Sequence, residues 1–159
     1  MEFFEKTEMH LGGREVKVLV VEDSRVERMR LQAVLQSMGL AVIAAENAAE
    51  ALRFLKKHPV DIVLSDWRMP GVNGLDLCQR LAADPDLGRP YFIMLTGQSA
   101  GADLIAAMDS GADDFIAKPA WCEELRVRLQ AGIRSLQRGQ SIKPGREYTG
   151  GFTRVSTKA

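Results

Sequence analysis

An open α/β fold, a five-stranded parallel sheet doubly wound with helices on both faces, is what the sequence predicts. Two observations predict it. Short apolar runs alternate with segments of helical periodicity five times along the chain. The runs are continuously apolar rather than alternating, the pattern of strands buried on both faces, and right-handed crossovers between them make the strands parallel. The composition agrees: 159 residues with 46% apolar and 26% charged side chains suit one domain with its own core.

The elements follow in order. Residues 16–21 form the first strand. Ser24 and Glu27 read as a capping box, and Val26, Met29, Ala33, Val34 and Met38 follow at helical spacing to Gly39, placed as a C′ glycine. Residues 41–45 are the second strand. Asn47 with Glu50 caps the second helix, lined by Ala51, Leu52 and Leu55 and stopped by Pro59. Residues 62–66 are the third strand, 69–74 a turn-rich loop and 75–83 the third helix. Residues 91–95 are the fourth strand, and Ile105, Ala106 and Met108 mark a fourth helix ending at Gly111. Residues 114–117 are the fifth strand, and Leu125, Leu129, Ile133 and Leu136 run down a fifth helix over about 120–137, roughly 27 Å at 1.5 Å per residue. That length leaves two readings open: the last turns project as a connector, or the whole helix packs on its sheet. Residues 1–15, net −2 and ending in Gly12-Gly13, read as a loose arm, and residues 139–159, net +3 and glycine-rich, as a tail or linker. The body is then 16–138.

The chemistry is at one rim. An open α/β sheet presents its ligand site beyond the carboxyl ends of its strands. Glu22 and Asp23 follow the first strand there, Asp66 ends the third, Thr96 ends the fourth and Lys118 follows the fifth. Two carboxylates about 4 Å apart repel by roughly 4 kcal/mol at an effective dielectric of 20, so three of them need a proton or a cation. Oxygen ligands without histidine or cysteine suit Mg²⁺ or Mn²⁺. Lys118 adds a mobile positive charge and Thr96 a hydroxyl, which together suit a phosphoryl group on or near a carboxylate that can itself be the nucleophile.

Four blocks carry a resemblance: residues 18–24 (VLVVEDS), 65–74 (SDWRMPGVNG), 95–97 (LTG) and 111–119 (GADDFIAKP). In this order and spacing the chain resembles, over about 16–138, the receiver domain of two-component response regulators. The resemblance implies the flavodoxin-like strand order 2-1-3-4-5. It implies Asp66 as the phosphoacceptor for a histidine kinase or phosphotransfer protein. It implies Mg²⁺ held by Asp23 and Asp66 directly, by Glu22 through water and by the Arg68 main-chain carbonyl. Lys118 would contact the phosphate, Thr96 would bond it and move inward, and Phe115 would be the aromatic switch. Gly97 would leave room for the phosphate, Arg68 and Gln98 would tune its lifetime, and the Lys118–Pro119 bond would be cis. Glu22 departs from the aspartate frequent at its position, and Phe115 lacks a tyrosine hydroxyl. The expected activity is a switch that catalyses only its own phosphorylation and dephosphorylation.

Other classes fit less well. A phosphatase with an aspartate nucleophile would carry a second acid two residues on, where Arg68 stands. A flavin-binding module would need a phosphate-cradling loop where Glu22 and Asp23 stand. His10 and His58 are expected to ligate nothing, Cys78 to be core, and Met29, Met38 and Met108 to be packing. The balanced charge, 21 basic against 21 acidic side chains, argues against direct nucleic-acid contact. No apolar run approaches the roughly 20 residues that span a bilayer. Glu2, Glu5 and Glu8 stand where a secretory signal would be apolar, and two cysteines without a Cys-x-x-Cys pair make neither a disulfide framework nor a zinc site. A reduced, cytoplasmic protein is expected. If the chain dimerises, the face of the fourth helix, fifth strand and fifth helix is the contact expected by analogy, and the chain is either a single-domain receiver or a piece of a protein with a C-terminal output module, for which this chain carries no sequence.

Overall fold

The structure, a computed structural model, describes residues 9–97, 105–106, 108–118 and 123–141. Two short strands, β1 (His10–Leu11) and β2 (Arg14–Glu15), come first. Then follow β3 (Lys17–Val21), α1 (Arg25–Ser37), β4 (Ala41–Ala45), α2 (Ala48–Lys57), β5 (Ile62–Asp66) and α3 (Gly74–Ala83). A 3-10 turn (Pro85–Leu87), β6 (Tyr91–Thr96), β7 (Asp114–Ala117) and the C-terminal helix (Glu123–Ser141) complete the order. Residues 105, 106, 108 and 109 are helical as well.

The five main strands form one parallel sheet in the order β4-β3-β5-β6-β7, the predicted 2-1-3-4-5. Every residue of β5 and β6 is buried, and so is all of β3 after Lys17. The edge strands β4 and β7 are only partly buried. One core cluster joins the sheet to α1 and the C-terminal helix through Leu31, Leu35, Leu125, Leu129 and Ile133. The other joins it to α2 and α3 through Ala51, Leu55, Leu77 and Leu81. All five strands therefore end at the same rim.

The structure corrects the sequence reading in four places. Residues 9–15 are not a loose arm. Gly12 and Gly13 both take positive φ (63° and 82°), the two-residue turn that suits strand twist, and β1 pairs antiparallel with β2 across it. Met9 and Leu11 are buried in the first core cluster, and the Arg14 guanidinium donates to both carboxylate oxygens of Asp61 at 2.9 and 2.8 Å.

The buried stripe of α1 is Leu31, Leu35 and Met38, with Val34 packed beside it. Val26, Met29 and Ala33, expected on that stripe, are exposed, Met29 at 56%, because the i, i+4, i+7 set starting at Leu31 is the one that meets the sheet. The methionines divide accordingly: Met38 packs, whereas Met29 and Met108 do not.

The capping box at Ser24 is half made. Ser24 Oγ accepts from Glu27 N at 3.3 Å, but the Ser24 N–H is already given to Glu22 Oε2 at 3.0 Å. The complete box belongs to Asn73 and Asp76 at the start of α3.

The C-terminal helix extends to Ser141, past the expected end of the body. Its last apolar turn does not project: Leu136 packs against the core, and Gln137 Nε2 donates to the His10 carbonyl at 3.3 Å. No helix among the described residues is long and apolar enough to cross a membrane.

Candidate functional site

β3 ends at Val21, and Glu22 N donates to the Ala45 carbonyl at 3.0 Å, extending the ladder by one residue before the chain turns into α1. Glu22 is buried, 1% exposed, and Asp23 is exposed. β5 ends in Asp66, 8% exposed. Its position is fixed on both sides. Trp67 N donates to Leu95 O at 2.9 Å, and Gly74 N donates to Trp67 O at 2.7 Å. A Cβ at Gly74 would overlap the Asp66 carbonyl oxygen, so only glycine lets α3 begin this close to the strand end.

Ligand oxygens of Glu22, Asp23 and Asp66 lie within 4.8 Å of one another, as a metal ion would require. Lys118 Nζ reaches into the same place, 3.1 Å from Glu22 Oε1 and 3.2 Å from Asp66 Oδ1. Its backbone is pinned by Lys118 N donating to Thr96 O at 2.6 Å, so β6 and β7 deliver Thr96 and Lys118 as a unit. Burial pushes the Glu22 carboxyl above its usual range and Asp66 adds repulsion, against the Ser24 N–H and Lys118. Burial alone would lower the Lys118 ammonium, but Asp66 and Glu22 outweigh it and hold it above its usual value.

Of the expected site residues, the structure thus brings together Glu22, Asp23, Asp66 and Lys118, with Thr96 buried at the end of the adjacent strand. Phe115 is half-buried and packed against the second core cluster. A Cβ at Gly97 would meet no atom within 4 Å, so packing among the described residues does not demand glycine there. The exposed Arg68 lays its guanidinium over the Trp67 ring, 5.9 Å from the centroid. Gln98, the Lys118–Pro119 bond, the first turn expected at 120–122 with Cys122, and residues 142–159 lie outside the described residues. His58 stacks on Phe54, with ring centroids 4.7 Å apart. Cys78 is core, and burial pushes its thiol up to about 11.

Two supporting residues escaped the sequence reading. Gly74 was legible only as part of a turn-rich loop, since its close contact is tertiary. Arg28, whose guanidinium donates to the Glu22 carbonyl at 2.9 Å and the Asp23 carbonyl at 3.4 Å, follows Asp23 by five residues, but nothing in a charged helix residue announces such a contact.

The model of the response regulator receiver domain matches residues 18–130. The chain belongs to the response regulator receiver family. This receiver is 39% identical over 119 residues to the virulence transcriptional regulatory protein PhoP of Salmonella typhimurium, covering 75% of the chain and 52% of that protein. It is 33% identical over 132 residues to the probable transcriptional regulator ycf27 of Cyanidium caldarium, covering 82% and 52%. The receiver thus spans about half the length of these curated relatives. Among solved structures it is similar to the signal receiver domain of a Syntrophus aciditrophicus signal transduction histidine kinase, with TM-score 0.72, 34% identity, and 80% and 96% of the two chains covered. It is also similar to the receiver of a Pseudomonas aeruginosa sensor histidine kinase with a magnesium ion coordinated in its active-site cleft, with TM-score 0.69, 28% identity, and 75% and 98% covered.

Proposed function

We propose that this receiver takes a phosphoryl group on Asp66, from a histidine kinase or phosphotransfer protein, in a Mg²⁺-dependent reaction, and signals the change through its conformation. The observation that carries the reading is the convergence of three carboxylates within 4.8 Å of one another, two of them paired with one ammonium. Glu22, Asp23 and Asp66 with Lys118 leave a net charge of −2 when all are ionised, which one divalent ion would neutralise. The donor set, all carboxylate oxygen, suits Mg²⁺ or Mn²⁺. Asp23 and Asp66 would hold it directly, Glu22 through water, and the Arg68 main-chain carbonyl would add a ligand. When bound, the ion supplies charge neutralisation for a transferred phosphoryl group.

The chain's own residues supply the rest. Asp66, fixed between Leu95 and Gly74, presents a carboxylate oxygen as nucleophile. Lys118 already lies 3.2 Å from it and turns its ammonium to the incoming negative charge, a positioning and electrostatic role. Thr96 then offers its hydroxyl to a phosphate oxygen. Because Lys118 N bonds Thr96 O, movement of one strand end is felt by the other, and Phe115, on β7 three residues before Lys118, is placed to change its packing. The phosphoryl adds about −1.5 to −2 of charge, enough to bias such a pair of arrangements.

The supported setting is a cytoplasmic two-component pathway, with the phosphorylated receiver acting on a partner, an output module or a second copy. The test is labelling by acetyl phosphate with Mg²⁺. Asp66→Asn is expected to abolish it and Asp76→Asn to retain it; labelling that survives in Asp66→Asn overturns the assignment.

A further inference from the structure

We propose that Arg28 is a positioning residue for the divalent-ion site, curling the Glu22–Asp23 backbone so that two consecutive carboxylates face Asp66. The inference rests on the reading of that site as a divalent-ion centre.

Consecutive side chains of an extended strand point to opposite faces. Glu22 and Asp23 follow β3 directly, yet both contribute an oxygen to one cluster. The chain must therefore turn between them, and something must hold the turn. Arg28, in the first turns of α1, puts one nitrogen, Nη1, 2.9 Å from the Glu22 carbonyl and 3.4 Å from the Asp23 carbonyl. Two successive carbonyls directed at one donor describe a curled segment. The neighbouring bonds agree: Glu22 N is tied to Ala45 O at 3.0 Å, and Ser24 N to Glu22 Oε2 at 3.0 Å. Arg28 thus completes a frame in which Glu22 is held by its N–H, its carbonyl and one carboxylate oxygen.

The choice of carbonyls as acceptors matters. A guanidinium bonded to the carboxylates would occupy ligand oxygens. Bonded to the main chain, it leaves them available while its charge eases the repulsion among three acids. Charge and geometry act oppositely on a bound cation: removing a positive charge alone would tighten Mg²⁺, whereas loosening the frame would weaken it. Outer groups that orient metal ligands are typically worth about 10–100-fold in affinity, so the geometric effect is expected to win.

The experiment is calorimetric titration of Mg²⁺ into the full chain, with Mn²⁺ followed by the loss of its free-ion resonance, for wild type, Asp66→Asn, Arg28→Gln and Arg28→Lys. Arg28→Lys keeps the charge but ends one bond short of Nη1. Both Arg28 variants are expected to bind about tenfold more weakly, with unfolding midpoints measured without divalent ions close to wild type. Faster amide exchange at Ser24 in the ion-free variants is expected alongside. Wild-type affinity or tighter binding in Arg28→Gln, or wild-type affinity in Arg28→Lys, overturns the proposal. A lowered midpoint with unchanged affinity also overturns it, because a merely structural role would do that. Should Arg28→Gln fail to fold, Arg28→Lys carries the test. Absence of saturable binding in wild type would instead bring down the reading of the site itself, which separates the two failures.

Discussion

Asp66 and Lys118 show how single residues divide the work at the rim. Lys118 is a counter-charge at the site, bridging Glu22 and Asp66 at 3.1 and 3.2 Å. Replacing it with Met leaves three carboxylates facing one another without an ammonium. Mg²⁺ should then bind more tightly, because a competing cation is gone, while labelling by acetyl phosphate should fall about a hundredfold for want of the charge that meets the phosphoryl. Calorimetry and a labelling time course separate the two; tighter labelling kinetics in Lys118→Met would refute the role. Gly74 is a second single-residue constraint. The overlap of a Cβ with the Asp66 carbonyl must push α3 or the strand end aside, so Gly74→Ala should cost about 1–3 kcal/mol in denaturant unfolding and slow labelling as well. The acids, Thr96 and Lys118 were legible because strand ends of a parallel sheet share one edge, so sequence order alone places them. Gly74 and Arg28 were not, since a glycine's close approach and an arginine's carbonyl acceptors are set by tertiary packing.

At the scale of elements, the N-terminal hairpin is the part least like its expectation. The Arg14–Asp61 pair ties β2 to the start of β5, and Asp61 also accepts from Lys17 N at 2.8 Å. Burial would raise the Asp61 carboxyl, but the Arg14 hydrogen bonds and the Lys17 N–H hold it below the usual range. A carboxyl with a depressed folded-state value stabilises the fold above its unfolded value and loses that contribution as pH falls through the folded one. Asp61→Asn should therefore be less stable than wild type by about 1–2 kcal/mol at neutral pH, and the gap should close in acid; a gap that persists or widens in acid would refute the pairing. Leu11→Ala, at a residue 2% exposed, should cost about 2–4 kcal/mol, where a loose arm would cost nothing. The five strands and most of the helices were legible from apolar runs and caps. The hairpin was hidden because strands of two residues carry no periodicity, although the Gly12-Gly13 pair is the two-residue turn signal that could have found it. The face of α1 was misjudged for a related reason: Val26 and Met29 are apolar and in phase, and only packing against the sheet shows that Leu31 begins the buried stripe.

For the whole molecule, the proposed phosphorylation would have to become a change in what the surface can bind. The described rim and the far face are linked through β6, β7 and the C-terminal helix: Lys118 N holds Thr96 O at 2.6 Å, and Arg128 of the helix pairs with Asp114 of β7 at 3.4 Å. On the C-terminal helix Val127 stands in solvent at 50% exposure, and on the helical residues that precede β7 Ile105 and Met108 do so at 63% and 46%. If the proposed switch works by pairing two copies, exposed apolar side chains such as these would be buried in the contact. Light scattering of the full chain with Mg²⁺ and the phosphate mimic beryllofluoride should show a mass that rises toward that of a dimer. Val127→Asp or Ile105→Asp should hold it at the monomer, because a carboxylate buried across the new contact is unpaired. A mass unchanged by beryllofluoride in protein that demonstrably binds it would exclude this face as a switch-driven homodimer contact and leave it to a different partner.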